Sequence, residues 1–528
     1  MGNIRVSTLW WVSMRTSGVR GLLLFFCWLV FSAFGGAVHE YRRILPSDPI
    51  DLDPARIEDV NALHIMLQVA EGLVGLDQNR IVPAIAERWE TSADLKVYLF
   101  HLNPQAHFSD GITITANDVV RSFQYLLGND SLVWRELSII RGAKEFHEGV
   151  APSVSGIEQL SPQTIKITLL KPFSPFLEII ATPPFVVLPQ SSLTTLHNEK
   201  VAVFVSSGPY QLTRYEKNKT LRIERNAYYH DADNVYFDRI SYDIVRSPIM
   251  AKAAFFGGLY DDIWPIFIEA TEQLMGRYEQ IPAYSANTWY LEFNLTKEHV
   301  AKLALRRFIA EHIDRKSFLR ALNLPEHFAS TRFIPRGLLG YDESPVTDKV
   351  ASAEQLLESA KCFPKNPCAI ELLYEKNVES ALGKLFQPIR EQYGNRVTIN
   401  LKKIERHAWY KRFIEGDYEM LFLGNNIRYA DAYSLLSYLM MDMYHPGLKR
   451  DEIGRQLETS FETSDRLARG RLYAHVDDLL RQQYAVIPIY HGIVPYLFVR
   501  KGFVGHNVSI LGPHQLNMSR LKRADSTP

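Results

Sequence analysis

The sequence lacks an excess of charge of either sign, and it lacks the short motifs of common catalytic sites. Its 59 basic residues are balanced by 59 acidic residues, which gives no support for nucleic-acid binding. It contains no HExxH motif, no GxSxG elbow, no phosphate-binding loop and no paired CxxC. An enzyme would need a constellation of acid, base or nucleophile that this sequence does not display, so we expect no catalytic residues.

The residue types that can serve catalysis or bind metals are present but not arranged for either role. Asp261 and Asp262 form the one adjacent acid pair in an aromatic setting. They are interpreted as a carboxylate pair on a surface turn, and the alternative is a general acid/base pair in a pocket. The 16 histidines are scattered, and His64, His312 and His491 are interpreted as packed or surface residues. We therefore expect no metal and no cofactor.

Long apolar runs are also missing, except near the start of the chain. Three arginines precede a charge-free run from Gly21 to Val38, which ends in small residues. Its apolar core is shorter than the roughly 20 residues of a membrane-spanning helix. The pattern predicts a secretory signal peptide over residues 1–38 and a soluble mature chain in the periplasm, with a retained anchor as the alternative. Cys27 lacks small residues before it, so we do not expect a lipoprotein.

Cysteine is scarce, since only Cys362 and Cys368 remain once the signal peptide is removed. Two thiols, two prolines and an oxidising compartment favour a small loop closed by a disulfide. A metal site is the alternative, but it would need further ligands, and none lies in this segment. The disulfide would hold the turn between a helix and a strand over 370–374.

Periodicity predicts several helices and strands. Helical spacing predicts a helix over 61–73 and another over 303–313, and Thr115 is a candidate cap for a helix over 119–127. Alternating apolar residues predict a strand over 97–102. Later strands are predicted over 290–294 and 485–491.

Several spaced signals follow one another in the first part of the mature chain. They are Leu52-Asp53-Pro54, Glu71-Gly72-Leu73-Val74, the run 83–90, Phe108-Ser109-Asp110-Gly111 and Thr115 to Val120. Together they resemble the opening of the peptide-binding proteins of bacterial ABC importers, the family 5 extracellular solute-binding proteins. The resemblance continues to about residue 489, so it covers nearly the whole mature chain.

The resemblance implies an α/β fold with two lobes, the type II periplasmic-binding-protein fold, with an extra subdomain inserted in the first lobe. The expected division gives the core of the first lobe residues 39–77, 204–283 and 494–528, the inserted subdomain residues 78–203, and the second lobe residues 284–493. Ligand is expected between the lobes, which close by a hinge motion.

One segment departs from the family's pattern. When Gly424 and Ser434 are set in register with the family, Arg428 falls where peptide binders carry the aspartate that pairs with the α-amine of the ligand. An arginine cannot accept a hydrogen bond, so the usual amine anchor is absent unless Asp431 or Glu58 replaces it. Arg428 is interpreted as an anchor for a ligand carboxylate or phosphate, or else as an internal partner of Asp431.

The same register provides further candidates for the ligand site, although aromatic residues on strands are more often part of a core. The candidates beside Arg428 are Glu58, Asp59 and Val60 in the first lobe, and Trp289, Tyr290, Trp409, Asn425, Asp431, Tyr490 and His491 in the second.

The sequence thus leads to one functional hypothesis. A monomeric periplasmic binding protein would hold a peptide or peptide-like solute between two lobes and deliver it to an ABC permease with cytosolic ATPases. The alternative is a periplasmic sensor that uses the same cleft without transport. No role in nucleic-acid binding is expected.

The signal peptide is directly testable. We expect the mature protein to begin near residue 38, because a positive start, an apolar centre and small residues at the end are the features of a cleaved signal. N-terminal sequencing of protein recovered from the periplasm measures the cleavage point. An intact Met1 on a membrane-embedded protein would contradict the expectation.

Overall fold

The computed structural model describes residues 38–524, apart from residue 129 and the segments 265–275, 345–350 and 442–443. All but the last residue of the predicted signal peptide therefore lie outside the described residues. Within the described part of the chain, no helix is both long enough and apolar enough to cross a membrane.

The strands share the chain with many short helices. The strands are β1 (Glu40–Leu45), β2 (Val74–Asp77), β3 (Arg80–Pro83), β4 (Ala86–Thr91), β5 (Val97–Leu102), β6 (Ile157–Ser161), β7 (Thr164–Thr168), β8 (Tyr210–Glu216), β9 (Thr220–Arg225), β10 (Arg239–Ile244), β11 (Asp262–Ile263), β12 (Glu279–Phe293), β13 (Cys368–Tyr374), β14 (Val397–Lys403), β15 (Met420–Asn426), β16 (Val486–Val499), β17 (Phe503–Val504) and β18 (Lys522–Arg523).

The helices lie between and around these strands. The α-helices are α1 (Val60–Val69), α2 (Ala116–Leu126), α3 (Trp134–Leu137), α4 (Ala143–His147), α5 (Phe176–Ile180), α6 (Gln190–Asn198), α7 (Pro248–Phe256), α8 (Leu303–His312), α9 (Arg315–Ala321), α10 (Ala353–Ser359), α11 (Glu379–Leu385), α12 (Gln387–Tyr393), α13 (Arg406–Ile414), α14 (Tyr433–Leu436), α15 (Asp451–Phe461) and α16 (Arg466–Gln483).

Three sheets organise the molecule. A four-stranded sheet has the order β1-β10-β9-β8, and a separate antiparallel sheet has the order β4-β5-β7-β6. A six-stranded sheet has the order β11-β16-β12-β15-β13-β14, in which β13 pairs in parallel with both of its neighbours. The mixture of parallel strands, antiparallel strands and helices gives an α/β fold.

The longest strands, β12 and β16, run antiparallel along the centre of the six-stranded sheet. Their register shifts between Pro282 and Ala283, between Tyr284 and Asn287, and again between Trp289 and Tyr290. Such bulges bend a strand and increase its twist. The start of β12 and the end of β16 lie near β11, and the second half of β12 pairs with β15, so these strands connect one part of the molecule with the other.

The predicted helix cap is confirmed, but the helix starts earlier than predicted. Thr115 precedes α2, which begins at Ala116, and the carboxylate of Asp118 accepts a 2.9 Å hydrogen bond from the backbone N–H of Thr115. This reciprocal arrangement is a capping box, and it satisfies an N–H group that the first turn cannot.

Tertiary contacts shorten the first predicted helix. Apolar spacing predicts a helix over 61–73, but α1 ends at Val69. The backbone N–H of Gly208 donates to the carbonyl of Val69 at 3.0 Å, and Ser207 Oγ accepts from the N–H of Glu71 at 3.0 Å. A Cβ at Gly208 would lie 2.6 Å from the N atom of Ala70, so only glycine permits this close approach.

Other predicted elements agree with the structure. The strand predicted over 97–102 is β5, and its alternate residues Tyr98, Phe100 and Leu102 are buried. The helix predicted over 303–313 is α8, which ends one residue earlier. The strands predicted over 290–294 and 485–491 are parts of the longer strands β12 and β16.

The segment that the sequence predicts as the inserted subdomain, residues 78–203, packs against helices of the predicted second lobe. Phe173 contacts Tyr433 and Phe461 edge to face, with ring centroids 5.6 and 5.1 Å apart. The backbone N–H of Ser174 donates to the carbonyl of Phe461 at 3.1 Å, and its hydroxyl donates to the carbonyl of Ser460 at 2.9 Å. The subdomain is thus fixed to the second lobe through side chains and through backbone.

The acid pair Asp261-Asp262 does not lie on a surface turn, and that interpretation is wrong. Both side chains are buried, and Asp262 lies 3.2 Å from Arg43, which is also fully buried. Burial raises the pKa of Asp262 to about 6, although the guanidinium opposes this shift. Asp261 accepts a 2.8 Å hydrogen bond from the backbone N–H of Arg42. The pair therefore ties β1 to the start of β11.

Cys362 and Cys368 form a disulfide with their Cα atoms 5.3 Å apart. It closes the turn between α10 and β13, as the sequence predicts for its position. Arg396 reinforces the same turn, because its Nε donates to the carbonyl of Cys362 at 2.9 Å and its own carbonyl accepts from the N–H of Cys368 at 2.8 Å.

We expect replacement of both cysteines by alanine to lower the free energy of unfolding by about 2 kcal/mol, the loop-entropy value for a ring of this size. Urea denaturation of the mature protein measures this loss, and ligand affinity should be unchanged. Thiol titration of denatured, unreduced protein should find no free thiol. Two titratable thiols would contradict the disulfide.

Candidate ligand-binding site

A cavity of about 670 Å³ lies where the start of α1, the inserted subdomain and the strands of the second lobe meet. This volume is in the range of ligand pockets, roughly 300–1,000 Å³. Its lining includes Ile57, Glu58, Val60 and Leu63 beside α1, Leu132, Val133, Glu136 and residues 182–185 in the subdomain, and Trp289, Tyr490 and residues 426–429 in the second lobe.

Aromatic rings form one wall of the cavity. Trp289 on β12 and Tyr490 on β16 are paired across the strands and stack with centroids 5.9 Å apart and planes 4° apart. Phe422 stacks on the same indole at 5.4 Å. A Cβ at Gly424 would lie 2.6 Å from the Trp289 ring, so glycine is required for the ring to lie against β15. The Lys376 ammonium lies 4.3 Å from the indole centroid, a cation–π contact that holds the ring in place.

Among the described residues, three charged side chains line the cavity: Glu58, Glu136 and Arg428. His514 also lines it, but burial lowers the pKa of its imidazole to about 4, so that this side chain is neutral at pH 7. The charged part of this lining thus consists of two carboxylates and one guanidinium.

Arg428 reaches from the end of β15 to the inserted subdomain. Its guanidinium forms an ion pair with the carboxylate of Glu136 in α3, and it lies 5.7 Å from the centre of the Tyr438 ring. The backbone N–H of Arg428 donates to Ser434 Oγ at 2.7 Å, which fixes the loop that carries it. The side chain is still 61% exposed, so that it is accessible to a solute.

Asp431 is not the partner of Arg428, and that interpretation is wrong. Asp431 is 1% exposed and lies 3.2 Å from Arg469 of α16, which also contacts Glu178 of the subdomain at 3.1 Å. Its other oxygen accepts from the backbone N–H of Tyr433 at 2.8 Å. Since the carboxylate is buried and paired, it is not placed to receive the amine of a ligand.

The three candidates beside α1 have different positions. Glu58 and Val60 line the cavity and are exposed. Asp59 instead caps α1, because its Oδ1 accepts from the N–H groups of Asn61 at 3.1 Å and Ala62 at 2.9 Å. Asp59 and Glu58 both line a second cavity, of about 630 Å³, which adjoins the first.

The cavity lining does not include Tyr290, Trp409, Asn425 or His491. Tyr290 and His491 each adjoin an aromatic wall residue along a strand, and successive side chains of a strand point to opposite faces. Tyr290 is fully buried, and its hydroxyl accepts a 3.0 Å hydrogen bond from Asn425. His491 is buried, and its Nε2 atom lies 2.9 Å from the carbonyl oxygen of Arg332. Trp409 stacks on its helical neighbour in α13, Phe413, at 5.4 Å.

Sequence reasoning missed part of the lining. Asn426 and Tyr429 belong to the segment that the register had already singled out, so their positions next to Arg428 could have identified them. Glu136 could not have been found in this way. It lies 292 residues from Arg428 in the chain, and only the packing of the subdomain brings the two together.

The fold and the cavity together define a class of protein. An α/β chain whose long strands connect two halves, with a large cavity between them, has the architecture of a solute-binding protein. Residues 80–442 match the family model described as bacterial extracellular solute-binding proteins, family 5 middle. The chain belongs to this family, whose members are the binding components of ABC importers.

Individual relatives agree with this assignment. The Escherichia coli K12 protein named "Probable deoxycholate-binding periplasmic protein YgiS" is 26% identical over 483 residues, covering 87% of this chain and 89% of that protein. The periplasmic oligopeptide-binding protein OppA of Haemophilus influenzae is 22% identical over 478 residues, covering 85% of this chain and 88% of OppA.

Solved structures establish the fold as the type II periplasmic-binding-protein fold. The unliganded open form of the murein tripeptide-binding protein MppA superposes with a TM-score of 0.77 at 21% identity, covering 92% of this chain and 98% of MppA. The two-lobed α/β architecture predicted from the sequence is therefore confirmed.

The ion pairs beside the cavity lead to a stability prediction. We expect Asp431→Ala to lower the free energy of unfolding by about 3 kcal/mol, the lower end for a broken buried ion pair, because Arg469 keeps one of its two carboxylate partners. Arg428→Ala should cost less than about 1 kcal/mol, since the side chain is largely exposed. Urea denaturation of the unliganded variants compares the two losses. Equal losses would contradict the assignment of Asp431 to a structural pair.

Proposed function

We propose that this protein is the periplasmic binding component of an ABC importer and carries a peptide or peptide-like solute that has a carboxylate. The observation that supports the carboxylate most strongly is Arg428, a largely exposed side chain whose guanidinium lies on the cavity lining. A guanidinium offers a planar set of donors that matches a carboxylate.

The names of the relatives point to the same ligand chemistry. Deoxycholate, named for YgiS, is a carboxylate with a large apolar body. The oligopeptides and the murein tripeptide, named for OppA and MppA, also carry carboxylates. An apolar body would suit the wall of Trp289 and Tyr490, because stacking and burial of apolar surface both favour binding there.

The proposed working cycle is capture, delivery and release without chemistry. The mature chain, freed of residues 1–38, would act as a monomer. The lobes and the inserted subdomain would follow the division expected from the sequence, with the ligand between them. A permease with cytosolic ATPases would receive the ligand when the lobes reopen.

Ligand identification and calorimetry test the proposal together. Native mass spectrometry of protein purified from the periplasm should show a co-purified solute that carries a carboxylate. Calorimetric titration with trialanine, murein tripeptide and deoxycholate should detect binding of at least one. Failure of all three to bind, with a co-purified solute that lacks an acid group, would refute the proposal.

The role of Arg428 in this function is tested by substitution. We expect Arg428→Ala to weaken binding of the carboxylate ligand about tenfold or more, which corresponds to the loss of one charged hydrogen bond at a partly exposed site. The C-terminal amide of a peptide ligand should bind both proteins equally weakly. Arg214→Ala is the matched control, because Arg214 is an exposed, ion-paired arginine on β8. Unchanged affinity in Arg428→Ala would exclude the carboxylate anchor.

A further inference from the structure

The cavity contains an arrangement of charges that a simple anion would use only in part. Glu136 and Arg428 touch each other on its lining, and Glu58 adds a second carboxylate. The formal charge of these three groups is −1, so a ligand that carries only a carboxylate uses Arg428 and leaves both glutamates without a cationic partner from the ligand. A ligand with both a cationic and an anionic group matches all of them.

The ion pair leaves hydrogen-bonding capacity on both Arg428 and Glu136. A guanidinium has five N–H donors, so Arg428 can hold Glu136 and a second carboxylate at once. The Oε1 atom of Glu136 contacts Arg428, whereas its Oε2 atom is buried and has no hydrogen-bond partner among the described residues. A buried carboxylate oxygen without a donor is costly, and a ligand that supplies the donor would relieve this cost.

Glu136 is held more firmly than Arg428. Its side chain is 15% exposed, against 61% for Arg428. Its helix, α3, is fixed by Leu137, which is fully buried, and by Trp134, which stacks on His147 at 3.8 Å. The terminal torsion of a glutamate is soft, so the carboxylate can present either oxygen to the cavity without moving the helix.

We propose that the Glu136–Arg428 pair binds a ligand group in which an ammonium and a carboxylate are attached to the same carbon atom. The carboxylate of this group would contact Arg428, and its ammonium would contact Glu136. Because the two protein charges touch, they can be matched only by two ligand charges that are equally close. The chemical class is a free α-amino acid, or a peptide that is joined through a side chain and so keeps such a group.

This inference rests on the proposed function and narrows its ligand class. An ordinary peptide has its ammonium and carboxylate at opposite ends, and it could satisfy Arg428 or Glu136 but not both with one group. The inserted subdomain, which supplies Glu136, would then take part in selecting the ligand.

Two isomeric dipeptides provide the test. γ-Glutamyl-alanine carries an ammonium and a carboxylate on one carbon, whereas α-glutamyl-alanine has the same composition without that group. We expect calorimetric titration to show that the γ-isomer binds at least tenfold more tightly. Equal binding, tighter binding of the α-isomer, or no binding of either would overturn the inference.

Substitutions test whether the Glu136–Arg428 pair causes the preference for the γ-isomer. Glu136→Gln and Arg428→Ala should each reduce the ratio of the two affinities to about one, and the double variant should lower it no further. Glu216→Gln, which alters an exposed ion pair on β8, should keep the ratio of the wild type. Thermal melts verify that each variant is folded. A folded Glu136→Gln variant with an unchanged ratio would overturn the role of Glu136.

Failure of the paired-charge site can be distinguished from failure of the proposed transport function. Binding of trialanine, murein tripeptide or deoxycholate with no preference between the glutamyl isomers leaves the transport function in place and refutes only the paired-charge site. Failure of all these probes, with a co-purified solute that has no acid group, refutes both.

Discussion

The antiparallel pairing of β12 with β16 is the interaction on which the rest of the structure depends. These strands connect the two parts of the molecule, and their register places Trp289 opposite Tyr490 on the cavity wall. A Cβ at Gly492 would lie only 1.8 Å from Asn287 Oδ1, so the pairing tolerates no side chain at that point. Bulges along the same pair bend the strands and increase their twist.

Buried ion pairs determine which charges remain for the ligand. Asp431 and Glu178 are both taken by Arg469, and this three-residue cluster fixes the inserted subdomain to the second lobe. With these groups occupied, Arg428 is directed outward to Glu136 and to the cavity. The electrostatics of the site therefore follow from the packing of the subdomain, because each buried charge must find a partner before the exposed ones are free to bind a solute.

The local parts of the fold were predictable because their causes are local. The alternation of Tyr98, Phe100 and Leu102 defines β5, and the capping box at Thr115 defines the start of α2. The end of α1 was not predictable, because it is set by hydrogen bonds from residues near Gly208, well over 100 positions away in the chain. Elements that end at a distant contact leave no local signal.

The sequence alone determined the family, the α/β class and the departure at Arg428, because these depend on the order and spacing of residues along the chain. Only the tertiary structure decided the partners of the charges. It paired Asp262 with Arg43, Asp431 with Arg469, and Arg428 with Glu136 across 292 residues. The physical reason is that the energy of an ion pair depends on distance and burial in space, and spacing along the chain fixes neither of these between distant segments.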